Sequence, residues 1–335
     1  MYIFKKKIWL IIVQHCLSLG ENQNEGWRKK YIREGREERN TLYTMRKMCG
    51  FMIKLLKEVE GNIDFDGKDP YATKVNDNNL SNVYTMIGFM QNDIQEFLYF
   101  IIDSFHTALS REVEMNIQGN VENGTDKLAK SCYEMMKNMY KKEYSEILNI
   151  FYGISISQLT SVEDESEILS LIPEPFSTLS LPIPTSSEKV TIFDCLDEYC
   201  KKERMEGDCA WFNEKTGEKQ SVNKNLVFWS LPKILMIDLK RFTNNLRKIT
   251  KLIYTPLDDV NFSKYVKGYN GDSYVYDLYA ICNHTGGIGG GHYFAHIKNA
   301  NGKWYSFNDS NINELTNPNE IVTNKAYCLF YRKKK

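Results

Sequence analysis

The stretch His284-Thr-Gly-Gly-Ile-Gly-Gly-Gly-His292-Tyr-Phe-Ala295, followed by Trp304-Tyr-Ser-Phe-Asn308-Asp309-Ser310, decides the reading of this chain. Five glycines precede His292, and a glycine-rich backbone can approach a neighbour more closely than any other. A phosphate-cradling loop needs a strand, then glycines, then a helix with a lysine. Here a strand pattern follows the glycines, which argues against phosphate. A histidine in such a place serves either as a general base or as a satisfied structural residue. If the two stretches pair as a hairpin, Asn308 or Asp309 reaches the His292 ring and fixes its tautomer, as the third member of a triad does. The piece then needed is a nucleophile, Ser or Cys, brought in from the helical half of the chain.

Outward from this stretch, the back half reads as strands. Leu235, Ile237 and Leu239 alternate within Lys233 to Phe242. Further aromatic-rich candidates, separated by Gly and Asn turns, are 274–282, 292–298, 303–307 and 326–331. The front half reads as helices. Leu42, Met45, Cys49, Met52, Ile53, Leu56 and Val59 fall near helical spacing, as do Phe97, Ile101, Phe105 and Leu109. Asp93-Ile-Gln-Glu96 before the second of these runs is a helix-start signal close to a capping box. A third helical stretch is expected from about Asp126 to Leu148. Glu21 to Arg39 is densely charged and reads as an exposed loop or solvated helix. Helices followed by antiparallel-looking strands give an α+β fold class.

The composition sets bounds on function. Hydrophobic residues make up 42% and charged residues 26% of the 335 residues, ordinary values for a globular protein with a sizeable core. Lys plus Arg equals Asp plus Glu at 43 each, and this zero balance argues against a dedicated nucleic-acid binder. The longest strongly apolar run, Ile8 to Val13, falls far short of the roughly 20 residues a bilayer span takes, so no membrane role is expected. Eight cysteines occur, at 16, 49, 132, 195, 200, 209, 282 and 328, and none forms a C-x-x-C pair. They read as reduced thiols of a cytoplasmic protein, a nuclear one being the alternative. No zinc site built from two such pairs is present, and neither metal nor cofactor is expected.

Together these boxes resemble the catalytic domain of the ubiquitin-specific proteases, the papain-like cysteine deubiquitinases. Gly290-Gly-His-Tyr-Phe-Ala and Trp304-Tyr-Ser-Phe-Asn-Asp-Ser resemble the family's histidine box. Gln91-Asn-Asp-Ile-Gln-Glu-Phe-Leu, running to Asp103 and His106, resembles its helix box. Leu231-Pro-Lys-Ile-Leu-Met-Ile-Asp-Leu-Lys-Arg-Phe242 resembles a late-strand signature. Phe151-Tyr-Gly153, Leu179-Ser-Leu-Pro-Ile-Pro184 and a closing Ala326-Tyr-Cys-Leu-Phe-Tyr331 fall in the family's order.

The resemblance implies one catalytic domain over 1–335, with a helical thumb-like part over 1–150 and β-rich fingers and palm over 151–335. It implies a papain-like fold and thiol-dependent cleavage after the C-terminal Gly-Gly of ubiquitin. The partners implied are ubiquitin and ubiquitinated proteins. His292 takes the role of general base and acid, Asn308 orients it, and Asp309 is a second supporter. Asp93 and Glu96, three apart on one helix face, fall where the family contacts the basic tail of ubiquitin. Simple helix capping is the other reading of this pair. Gly290, Gly291 and Tyr293 belong to the same ubiquitin-facing channel.

Two departures stand out. Asn213-Glu-Lys-Thr216 and Ser161-Val-Glu-Asp164 stand where many members carry the C-x-x-C pairs of zinc fingers, so a metal-free fingers ribbon is expected. The family's nucleophile box, Gly-Asn-Thr-Cys-Tyr, has no match. Cys16, in Val13-Gln-His-Cys-Leu-Ser-Leu-Gly20, resembles the tail of the helix after that box, which puts the nucleophile position near Ile8 or Trp9. In the alternative alignment Cys16 itself attacks, without the upstream Asn that helps bind an oxyanion. The remaining alternatives are a nucleophile encoded before Met1, and a pseudoenzyme that binds ubiquitin without cleaving it. Cys49 reads as core. Asp238 stands where the family often has His.

Overall fold

A computed structural model of the chain describes residues 93–185 and 188–334. Cys16, Cys49, Gln91, the charged stretch from Glu21 to Arg39 and the apolar stripe from Leu42 to Val59 lie outside the described residues. The described elements open with helices α1 (Ile94–Leu109), α2 (Gly124–Tyr140) and α3 (Glu146–Phe151). Strands β1 (Gly153–Ser161), β2 (Ile168–Phe176), β3 (Thr178–Leu181) and β4 (Val190–Thr191) follow, then helix α4 (Ile192–Tyr199). Next come β5 (Glu203–Met205), β6 (Trp211–Asn213), β7 (Glu218–Gln220), β8 (Val222–Ser230), β9 (Ile234–Leu239), β10 (Ile253–Tyr254) and β11 (Val260–Asn261). The chain closes with β12 (Val275–Gly287), β13 (Gly290–Lys298), β14 (Trp304–Asn308), β15 (Asn311–Leu315) and β16 (Ala326–Lys333). Three of the four described helices come before the mostly antiparallel strands, which is the α+β order expected from the sequence.

The chain forms two compact units, neither continuous in sequence. The described part of the first holds residues 93–110, Ser145–Ile147 and Cys282–Ile321. The second holds Arg111–Tyr144, Leu148–Ile281 and 322–334.

In the first unit, α1 begins at Asp93, whose carboxylate accepts from the backbone N–H of Gln95 at 2.9 Å. That bond satisfies one of the orphan donors of the first turn. Ile94, Phe97, Leu98, Ile101, Ile102 and Phe105 form the buried stripe of this helix. Each contributes about 1.5–3 kcal/mol of burial before the cost of ordering it. Glu96, Tyr99 and Asp103 lie on the exposed face. The strand order in this unit is β12-β13-β14-β15. β13 pairs antiparallel with β14 from Lys298↔Trp304 to Ala295↔Phe307, and β14 with β15 from Trp304↔Leu315 to Asn308↔Asn311. The β14–β15 turn is only Asp309-Ser310, with Asp309 at φ 48°, a left-handed conformation that Asp tolerates better than most residues.

In the second unit, β2, β1, β8 and β5 form an antiparallel sheet in that order. Ala129 and Cys132 of α2 pack on Ile154, Ile156 and Trp229 of this sheet. This unit also holds the strand order β12-β16-β9-β3, part of the same sheet as β13, β14 and β15. All six residues of β9, Ile-Leu-Met-Ile-Asp-Leu, are buried, as befits a strand covered on both faces. Asp238 therefore has a structural account: it accepts from the Ser180 hydroxyl at 2.5 Å, across the parallel β3–β9 pair. β6 and β7 form a separate two-stranded ribbon. There the Asn213 side chain bonds Gln220 at 3.1 Å and accepts from the Lys215 backbone at 3.0 Å. The Ser161 hydroxyl likewise caps a turn, accepting from the backbone of Glu163 and Asp164.

The third helical stretch is shorter than the periodicity suggested. α2 stops at Tyr140, and α3 begins at Glu146. Between them Tyr144 exchanges two backbone hydrogen bonds with Arg111, each 2.8 Å, which hold that segment extended.

Candidate active site

The site is built on the hairpin of β13 and β14. Beyond its last paired rung, Ala295↔Phe307, the His292 ring turns toward the end of β14. Nε2 of His292 lies 2.6 Å from Oδ1 of Asn308. An amide oxygen only accepts, so Nε2 carries the proton and donates it. That leaves Nδ1 with its lone pair, the atom able to take a proton from a nucleophile. Oδ2 of Asp309 stands farther away, at 3.8 Å from the same ring nitrogen. The His292 side chain is 43% exposed.

The hairpin of β12 and β13 shapes the approach to this ring. Its tip is the two residues Ile288-Gly289. Gly286, at φ +99°, sits where a Cβ would lie 2.6 Å from the Gly290 carbonyl oxygen. A Cβ on Gly291 would lie 2.0 Å from Nε2 of His284 and 2.6 Å from the Thr285 carbonyl oxygen. Gly291 is thus held in close contact with the preceding strand. Tyr293 is half-buried, its ring centroid 4.6 Å from that of His284.

Asp93, Glu96, Gly290, Gly291, Tyr293, His292, Asn308 and Asp309 all belong to the first unit. Asp93 caps α1, and Glu96 is exposed one turn on. At the far end of α1, Nδ1 of His106 and the buried hydroxyl of Ser145 are 2.7 Å apart.

Cys282 is the one cysteine among the described residues of this unit. Burial, and secondarily the Asp93 charge, push its thiol well up. In the second unit burial raises Cys132 and Cys195 to about 12 and Cys200 to about 11. Such thiols are inert at neutral pH. Cys16 lies outside the described residues.

Three buried residues near the hairpin were not singled out by the sequence. His284 is 4% exposed, and His296 places Nδ1 2.8 Å from the Ile321 carbonyl oxygen. Asn283 is wholly buried, and neither atom of its amide has a hydrogen-bond partner. Leaving such a group unsatisfied costs about 1–3 kcal/mol. The glycine pattern marked the close approach but not the side chain approached. Among the described residues, no group of three or more His, Cys, Asp or Glu could hold a metal ion, and no helix is long and apolar enough to cross a membrane.

A family model described as ubiquitin carboxyl-terminal hydrolase matches residues 14–331. Ubiquitin carboxyl-terminal hydrolase 10 of Arabidopsis thaliana is 42% identical over 173 residues, half of this chain and 19% of the relative. Ubiquitin carboxyl-terminal hydrolase 2 of Homo sapiens is 33% identical over 258 residues, covering 73% of this chain and 41% of the relative. The chain thus matches about a fifth of the length of its Arabidopsis relative. Among solved structures, a SAGA DUB module of Ubp8, Sgf11, Sus1 and Sgf73 bound to monoubiquitin matches with a TM-score of 0.57 at 22% identity. That match covers 87% of this chain and 58% of the other. A yeast SAGA DUB module matches with a TM-score of 0.53 at 24% identity, over 72% of this chain and 51% of the other. The α+β, papain-like fold is that of these neighbours.

Proposed function

The chain belongs to the ubiquitin carboxyl-terminal hydrolase family, and from that premise we propose that it is a thiol-dependent deubiquitinase. The observation that carries the proposal is the 2.6 Å pairing of His292 Nε2 with Asn308 Oδ1, which leaves Nδ1 as a base beside a glycine-rich turn. The substrate is ubiquitin joined through its C-terminal glycine to an amine.

A cysteine thiol gives its proton to Nδ1 of His292, and the thiolate attacks the glycine carbonyl carbon. The tetrahedral intermediate collapses, the C–N bond breaks, and the imidazolium returns its proton to the leaving amine. Water, giving a proton to the now neutral His292, attacks the thioester carbon; the C–S bond breaks, the imidazolium returns its proton to the leaving thiolate, and ubiquitin departs with a free carboxyl group. Asn308 holds the ring in the tautomer that both half-reactions need. Cys16 is our candidate for the thiol, because the alternative alignment of the nucleophile box makes it the attacking residue, and Cys49 reads as core. Asp93 and Glu96 are proposed to meet basic residues of the ubiquitin tail, with Asp93 also capping its helix. A cytoplasmic or nuclear setting, where thiols stay reduced, suits this chemistry. Neither nucleic acid nor membrane is needed as a partner.

The test is hydrolysis of ubiquitin carrying a fluorogenic amide at its C-terminus. The chain is expected to release the fluorophore, and His292→Ala is expected to abolish release. Equal rates for the two would overturn the role of His292.

A further inference from the structure

We propose that His284 is a positioning residue for His292, fixing the strand that carries the base without touching the reacting atoms. The inference rests on the function proposed above and deepens it.

The glycines of the turn are not equivalent. A Cβ on Gly287 or Gly289 would meet nothing within 4 Å, whereas on Gly291 it would run into His284 Nε2 at 2.0 Å. The residue before His292 is therefore pressed against the His284 ring, and the residue after it, Tyr293, packs its own ring on the same imidazole at 40°. His292 itself is held between them, its carbonyl accepting from the Thr285 hydroxyl at 3.3 Å. Three consecutive residues, Gly291, His292 and Tyr293, are thus gripped by two, His284 and Thr285. His284 is 4% exposed, so its ring cannot swing away into solvent. Asn308 gives the His292 side chain its second anchor, from β14. Loss of the first anchor frees the backbone of His292 to shift relative to the second. A displacement of about 1 Å at such a group costs on the order of 100-fold in rate.

His284→Ala and His284→Asn are both too short to reach Gly291, whereas His284→Gln keeps a polar atom at that distance. The readout independent of activity is the His292 Nε2–H proton in 15N-histidine-labelled chain. The chain has five histidines, and this signal is the one missing from His292→Ala. In the parent chain the proton bonded to Asn308 is expected downfield and slow to exchange, and it is expected to disappear in Asn308→Ala. His284→Ala or His284→Asn is expected to lose it while keeping the thermal midpoint, and His284→Gln to retain it. On the ubiquitin amide, kcat is expected to fall on the order of 100-fold in the truncations with KM within about twofold, and to recover in His284→Gln. A folded truncation that keeps the signal overturns the proposal, as does a kcat loss that only tracks a fall in thermal midpoint. A parent chain with the expected NMR pattern but no hydrolysis would sink the deubiquitinase reading and leave the clasp standing.

Discussion

Nε2 of His292 lies 2.6 Å from Oδ1 of Asn308 and 3.8 Å from Oδ2 of Asp309, so the amide and not the carboxylate is the direct partner of the ring. Asn308→Ala removes the acceptor that holds the tautomer. It is expected to lower kcat on the ubiquitin amide about 100-fold. Asp309→Asn keeps a residue that tolerates the left-handed turn and removes the charge 3.8 Å from the ring; it is expected to cost less than about threefold, because a half-exposed pair at that distance is weak. Steady-state kinetics of the two variants check this, and a larger loss for Asp309→Asn would reverse the assignment.

Gly291 and Gly289 are two residues apart in the same turn yet differ in what a methyl group would meet. On Gly289 it meets open space, and on Gly291 it meets His284 and the Thr285 carbonyl. Gly289→Ala is expected to leave thermal midpoint and hydrolysis near parent values. Gly291→Ala is expected to lower both, by about 1–3 kcal/mol of stability if the strand yields rather than unfolds. Equal tolerance at the two positions would contradict the close approach.

Tyr269 donates to the carboxylate of Asp126, and its ring packs edge-on against Trp229 at 5.3 Å. This bond lowers the Asp126 carboxyl below its ordinary 3.8 and raises the Tyr269 phenol to about 12. A lowered acid contributes stability above its unfolded pKa and loses it as pH falls through the folded value. A raised phenol contributes below its unfolded pKa, about 10, and loses it as pH climbs through about 12. The stability gap between parent and Tyr269→Phe is therefore expected to be constant from pH 5 to about 9 and to close below pH 4. Urea unfolding across that range measures it, and a gap unchanged at pH 3 would refute the pairing.

Arg241 is fully buried and donates to three backbone carbonyls, those of Ala326, Ile249 and Lys251, at 2.5, 2.9 and 2.9 Å. Burial, partly offset by Cys195, lowers its pKa to about 10, well short of neutralising it near pH 7. Arg241→Met strands all three carbonyls, and a loss of about 3–5 kcal/mol is expected from chemical denaturation. A loss under about 1 kcal/mol would mean those carbonyls find other donors.

The strands that carry the site were legible because their signals are local. Aromatic alternation bounded by Gly and Asn gave β13, β14 and β16 within a few residues, and with them a pairing of His292 with Asn308 or Asp309, between which the family resemblance chose Asn308. β15 was not legible. Asn311-Ile-Asn-Glu-Leu315 is largely exposed and gains its extended form from the hydrogen bonds of β14. Helix α4 escaped notice because it is only eight residues long, though Thr191 and Asp194 form a capping box that marks its start. The break after Tyr140 depends on Arg111, some thirty residues away in sequence, which no helical periodicity reports. His284 stood in the quoted stretch, but its contact with Gly291 exists only once β12 folds back along β13.

The central claim is that a thiol of this chain attacks a ubiquitin C-terminus with His292 as its base. The most direct test is intact-mass analysis after mixing the chain with ubiquitin bearing a thiol-reactive group at its C-terminus, beside Cys16→Ser and His292→Ala. One adduct is expected, mapping to Cys16, absent from Cys16→Ser and slowed in His292→Ala. Ubiquitin that binds but leaves every cysteine unmodified would contradict the claim and make the chain a binding domain.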